Sequence, residues 1–213
     1  MSFFEHKYLE AFKQLGIKLS DNDGVEEYNI GIQEQVLEIQ LPKALRMYYI
    51  IAGNHELNYG HNELYSIGDI YMWENFLVFM KESNGMESWG IRLDSIKEID
   101  PPIYAGLDAF SIKPYLQEVC CSDFLIFTLF SHAISGGFEH HEEVHIKVFV
   151  AQKIIEDWTD IGGGFYSSIG KIVYIPDEDF KEEEEVLVTI AGKNEKDFFD
   201  MVWDLSARIH YIT

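Results

Sequence analysis

Apolar positions are spaced most regularly between Leu41 and Leu93, and their period changes once inside that stretch. Behind Leu41-Pro42, the residues Leu45, Tyr48, Tyr49 and Ala52 recur at three- and four-residue intervals, which predicts a helix. Pro42 fits the first turn, where a missing N–H is not needed, and Gly53 offers a left-handed stop. From Phe76 the period falls to two, with Phe76, Val78 and Met80 alternating with Leu77, Phe79 and Lys81. Asn84-Gly85, both tolerant of positive φ, then returns the chain along Ser88 to Leu93. A helix followed by an antiparallel hairpin, 75–82 against 88–93, is expected.

The same reading extends outward. Ser2 and Glu5 have capping-box spacing ahead of a helical stripe, Phe4, Tyr8, Phe12 and Leu15, that Gly16 ends. Ser20-Asp21-Asn22-Asp23-Gly24 is a turn whose spacing does not fit a calcium loop. Gln33–Gln40 is expected as a second helix with Ile32, Val36 and Ile39 on one side. His55–Ile67 is polar and is expected as a surface loop with solvated histidines at 55 and 61. Asp100-Pro101-Pro102 leads into a short edge strand, where proline is tolerated. Ser122-Asp123 can cap a buried helix over Phe124–Ile134, which Gly136-Gly137 closes.

Val144, Ile146, Val148 and Val150 alternate with His145, Lys147, Phe149 and Ala151, a strand pattern. Gly162-Gly163-Gly164 is a break that lacks the Lys and Ser/Thr of a phosphate cradle. Lys171–Ile175 and Glu185–Ala191 are expected strands. Asn194 begins a last helix, with Phe198, Val202, Leu205 and Ile209 inward and Asp200, Asp204 and Arg208 outward. No internal repeat or low-complexity linker divides the chain. The expected fold is therefore α+β, one domain over residues 1–213 with a largely antiparallel sheet flanked by helices.

Composition narrows the function classes. With 47% apolar and 15% aromatic residues, the chain has ample material for a core. No apolar run reaches membrane-span length, and MSFFEHKYLEAFKQ lacks the basic and apolar regions of a secretory signal. The only cysteines, Cys120 and Cys121, are adjacent and cannot staple distant segments, so a reducing cytoplasm is the expected compartment. The 37 Asp and Glu against 16 Lys and Arg give a net charge of −21. Such a chain is repelled by phosphate backbones and anionic lipid, and suits a basic protein partner.

One stretch looks catalytic. His141-Glu142-Glu143-Val144-His145 matches H-E-x-x-H, in which two histidines on adjacent helical turns share zinc and the Glu activates water. The β-branched alternation from Val144 implies a strand instead, where residues four apart lie about 13 Å apart. Val148 and Ala151 also occupy the later Gly and His positions of the extended motif. A zinc-dependent hydrolase through His141, Glu142 and His145 remains an alternative, but no enzyme, metal or cofactor is expected. Between 177 and 185 lie Asp177, Glu178, Asp179, Glu182, Glu183, Glu184 and Glu185, with Lys181 as the one base. That cluster repels itself, so it is the candidate surface for a basic partner.

The pattern also carries a resemblance. Leu41-Pro42, Tyr48, Gly53, Asn75-Phe76, Phe79, Gly85, Trp89-Gly90, Asp100-Pro101-Pro102 and Tyr104 together resemble the SUKH superfamily. That superfamily includes fungal glucan-synthesis regulators and bacterial immunity proteins of polymorphic toxin systems. The resemblance covers roughly the first two-thirds of the chain, and residues beyond about Ser135 are read as a family-variant extension. It implies a SUKH-like fold and stoichiometric occlusion of a toxin domain, such as a nuclease. The alternative it implies is a regulatory interaction module of the glucan-synthesis-regulator type.

Overall fold

The structure, a computed structural model, describes residues 1–107, 114–176 and 185–210, with side chains through Leu205 in the last range. Among the described residues are six α-helices and two antiparallel sheets, an α+β arrangement. By contact the chain groups into two units. One unit comprises Met1–Leu9 and Leu19–Thr128, the other Glu10–Lys18 and Leu129–Thr213. Among the described residues, no helix is long and apolar enough to cross a membrane.

α1 (Phe3–Gln14), whose residues through Leu9 belong to the first unit, starts on the expected capping box. Ser2 Oγ accepts from Glu5 N at 3.2 Å, and Glu5 Oε2 accepts from Ser2 N at 2.8 Å. Then come α2 (Glu27–Leu37), α3 (Lys43–Ala52) and a 3₁₀ turn at Glu56–Asn58. Six strands follow: β1 (Asn62–Leu64), β2 (Tyr71–Trp73), β3 (Phe76–Glu82), β4 (Ser88–Arg92), β5 (Pro102–Ala105) and β6 (Tyr115–Cys120). Their order is β1-β3-β4-β5-β6, with β2 also paired to β3. The expected hairpin is β3–β4: Gly85 sits at φ +71°, and Met86 N donates to Asn84 Oδ1 at 2.9 Å. The register shifts between Val78 and Met80, a bulge that bends β3.

Three tyrosines anchor this core because each hydroxyl has an acceptor. Tyr8 donates to Ala44 O at 3.1 Å, Tyr48 to Asn58 Oδ1 at 2.7 Å, and Tyr49 to Tyr65 O at 2.8 Å. An unbonded buried hydroxyl would cost about 1–3 kcal/mol. Burial pushes all three phenols well above their ordinary range.

The structure corrects several expectations. The second helix starts at Glu27 rather than Gln33, and Ile32 and Val36 face solvent while Ile30 and Gln33 are buried. Gly53 is right-handed (φ −60°); glycine is required because a Cβ would lie 2.7 Å from Tyr49 Cδ1 and 2.8 Å from Val25 Cγ2. The 55–67 stretch is structured by the 3₁₀ turn and β1, and His55 and Asn58 are buried. β5 is an interior strand between β4 and β6, with Pro102 at its first residue, where no ladder donor is lost.

α4 (Cys121–His132) begins one residue before the expected cap, Ser122-Asp123, and runs into a π turn at Ala133–Gly137, which Gly136 kinks at φ +119°. The second unit continues with β7 (His140–Lys147), α5 (Val148–Asp157), β8 (Thr159–Gly162), β9 (Phe165–Ser167), β10 (Lys171–Tyr174), β11 (Glu185–Gly192) and α6 (Glu195–His210). Its sheet order is β7-β11-β10-β9-β8. Ile146, Val186, Val188 and Ile190 pack with Val150 and Ile154 of α5 and with Phe198, Met201 and Leu205 of α6. The side chains of Arg208 and Ile209 lie outside the described residues.

The strand expected to run through Ala151 ends at Lys147. Val150, Ala151 and Ile154 are buried together from a helix, so tertiary packing overrides β-branched propensity there. The triple glycine forms the β8–β9 turn, all three residues at positive φ. Asn194 caps α6, its Oδ1 accepting from Asp197 N at 2.9 Å.

Candidate partner-binding surface

The acidic connection leads directly into β11, and β11 pairs along its whole length with β7. Antiparallel pairing puts opposed residues on one face. Val186 opposes Ile146 and Val188 opposes Val144, and these four turn toward the core. The other face carries Glu185 opposite Lys147, Leu187 opposite His145, and Thr189 opposite Glu143. Glu185, Leu187, Glu143 and His145 on it are exposed. β7 is the terminal strand of its sheet, and its Glu, His and Lys side chains discourage edge-to-edge pairing.

Of the sequence-predicted site residues, Asp177, Glu178, Asp179, Glu182, Glu183 and Glu184 lie outside the described residues. Glu185 is placed, and it is engaged: Lys147 Nζ stands 2.8 Å from its Oε1. The Lys147 hydrogen bond, and then its charge, hold the Glu185 carboxyl below the usual range. Glu185 therefore contributes a paired charge to this face.

The H-E-x-x-H residues all lie in β7, opposite Ile190, Ala191 and their neighbours on β11. His141 and His145 are thus four strand residues apart, about 13 Å, and do not share the adjacent helical turns that the motif needs. His141 Nδ1 instead lies 3.2 Å from Phe138 O. Among the described residues, no group of three or more His, Cys, Asp or Glu is placed to hold a metal ion.

A second polar cluster surrounds the start of α4. Asp100 Oδ1 accepts from Ser122 N at 2.8 Å, and Asp100 Oδ2 from Ser122 Oγ at 2.7 Å. Lys7 Nζ donates to Ser122 Oγ and Asp123 Oδ1, both at 2.7 Å, and Cys120 Sγ donates to Asp123 Oδ2 at 2.9 Å. Lys beside Ser has the form of a nucleophile and its base, but Ser122 is fully buried and its hydroxyl proton is committed to Asp100. The cluster fastens a helix N-terminus with a carboxylate at its positive end. Burial also pushes both thiols up, Cys121 far, so neither is an activated nucleophile.

Sequence reasoning missed the role of Asp100, since Ser122-Asp123 itself looks like the cap. It also missed the joint face of Glu143, His145, Lys147 and Leu187, because strand register is not written in either strand alone. No protein-family model, no curated protein and no solved structure matches the chain.

Proposed function

We propose that this chain is a non-catalytic, SUKH-like protein-binding domain, an immunity protein that neutralises a basic toxin domain by covering it. The observation that carries the reading is a charge of −21 together with an acidic run in the sequence whose last residue, Glu185, begins β11 at the exposed end of its pairing with β7. Carboxylates there would stand in for the substrate phosphates that a nuclease domain expects. Two further observations support it: the H-E-x-x-H residues are extended, and the Lys7–Ser122–Asp100 contacts hold a fully buried serine at a helix start.

The test is to identify the genes neighbouring the one for this chain, coexpress the chain with a toxin domain found there, and follow with native mass spectrometry and a toxin activity assay; the absence of such a neighbour would count against the reading. A one-to-one complex in which the toxin is silent is expected. Hydrolysis by the isolated chain, with stoichiometric zinc lost in His141→Ala, would replace this reading with the hydrolase one.

A further inference from the structure

α2 has two apolar faces. Ile30 and Gln33 are buried, whereas Tyr28, Ile32 and Val36, four residues apart on the opposite side, are 75%, 43% and 68% exposed. Four-residue spacing stacks them into one ridge about 12 Å long. Three large side chains in one helical row facing water are not needed to fold the helix, whose other side already meets the core.

Charge says what fits the ridge. From Lys18 to Lys43 the intervening chain carries Asp21, Asp23, Glu26, Glu27, Glu34 and Glu38 and no basic side chain. Glu27 and Glu34 both face Arg46, at 3.1 and 3.6 Å, while Glu26 and Glu38 at the two ends of α2 are exposed. A second copy of this chain would bring an identical acidic rim against this one. A helix with an apolar stripe and Lys or Arg beside it would meet both features.

We propose that the Tyr28–Ile32–Val36 ridge docks a cationic amphipathic helix of the partner. The proposal rests on the protein-binding reading above and names its apolar contact. Ridge residues supply contact area and the bracketing carboxylates supply steering and orientation.

Two synthetic 18-residue peptides of the same Leu and Lys composition test it, one ordered as an amphipathic helix and one scrambled. Titration calorimetry is run on the full chain and on Ile32→Ser/Val36→Ser, with circular dichroism confirming the fold. The ordered peptide should bind the wild type at least tenfold tighter than the scrambled one, and the double variant should lose that difference. Glu26→Gln/Glu38→Gln should keep the preference but weaken its dependence on salt. Equal binding of the two peptides, or an unaltered preference in Ile32→Ser/Val36→Ser, overturns the proposal. A wild-type dimer in sedimentation that the double variant turns to monomer also overturns it, in favour of a second copy. If the toxin domain binds Ile32→Ser/Val36→Ser as it binds wild type, the ridge assignment fails and the immunity reading stands. If no toxin domain binds the wild type, the immunity reading fails, and the peptides alone decide the ridge.

Discussion

His55 is the residue at which pH and stability meet. Its imidazole is buried, and Nδ1 accepts from Leu57 N at 3.2 Å, a bond that only an unprotonated nitrogen can make. Burial holds its pKa below the ordinary value, outweighing Asp23 and Glu56, which raise it. The folded state therefore binds fewer protons than the unfolded one. Its contribution to stability is complete above about pH 6.5 and is lost as pH drops from there through the lowered folded-state value. Melting temperatures from about pH 8 to 5.5 should fall more steeply for the wild type than for His55→Asn, which keeps an acceptor and loses the titration. Parallel curves would contradict this. Asp100 makes the second residue-scale prediction: Asp100→Ala removes two acceptors from buried Ser122 and should cost about 2–3 kcal/mol in urea unfolding, with Asp100→Asn intermediate. Neither role is legible in the sequence. A histidine in a polar stretch reads as solvated, and a Ser-Asp pair before an apolar run reads as its own cap.

At the scale of elements, local chemistry was legible where the determinants are local. The capping box at Ser2, the Asn84-Gly85 turn and the Asn194 cap are all present because each needs only residues within a few positions. Gly85→Ala, at φ +71° with open space around it, should destabilise by about 1 kcal/mol through backbone strain alone. Where two periods fit the same residues, the outcome depended on distant partners: Val148–Val150 satisfied alternation, yet α5 buries Val150 and Ile154 against β7 and β11. Short strands such as β6, β8 and β9 left no signal, being three to six residues with mixed burial. Pairing of β7 with β11 leaves His141 exposed, so His141→Ala should change unfolding stability by no more than about 0.5 kcal/mol, with far-ultraviolet dichroism unchanged. A larger loss would assign the H-E-x-x-H segment a role in this sheet that its exposure does not suggest.

For the whole molecule, the net charge is −21. Repulsion among 37 carboxylates is only partly relieved by 16 basic side chains, and self-repulsion of this kind disfavours a compact state. The candidate site was legible as composition, since the run from Asp177 to Glu185 stands out in any charge plot. What the sequence could not indicate is that Glu185 is neutralised by Lys147 across the strand pair, which removes it from the steering set. Carboxylates at the rim of an interface act mainly on association, while buried apolar anchors act on dissociation. The most direct measurement of the proposed function is stopped-flow association of a basic toxin domain with wild type, with Glu182→Gln/Glu183→Gln/Glu184→Gln and with Glu185→Gln, at two ionic strengths. A severalfold slower association and a flatter salt dependence are predicted for the triple variant, with little change for Glu185→Gln. An association rate and salt slope that the triple variant leaves unaltered would contradict the steering role and reduce the acidic run to a solubility device.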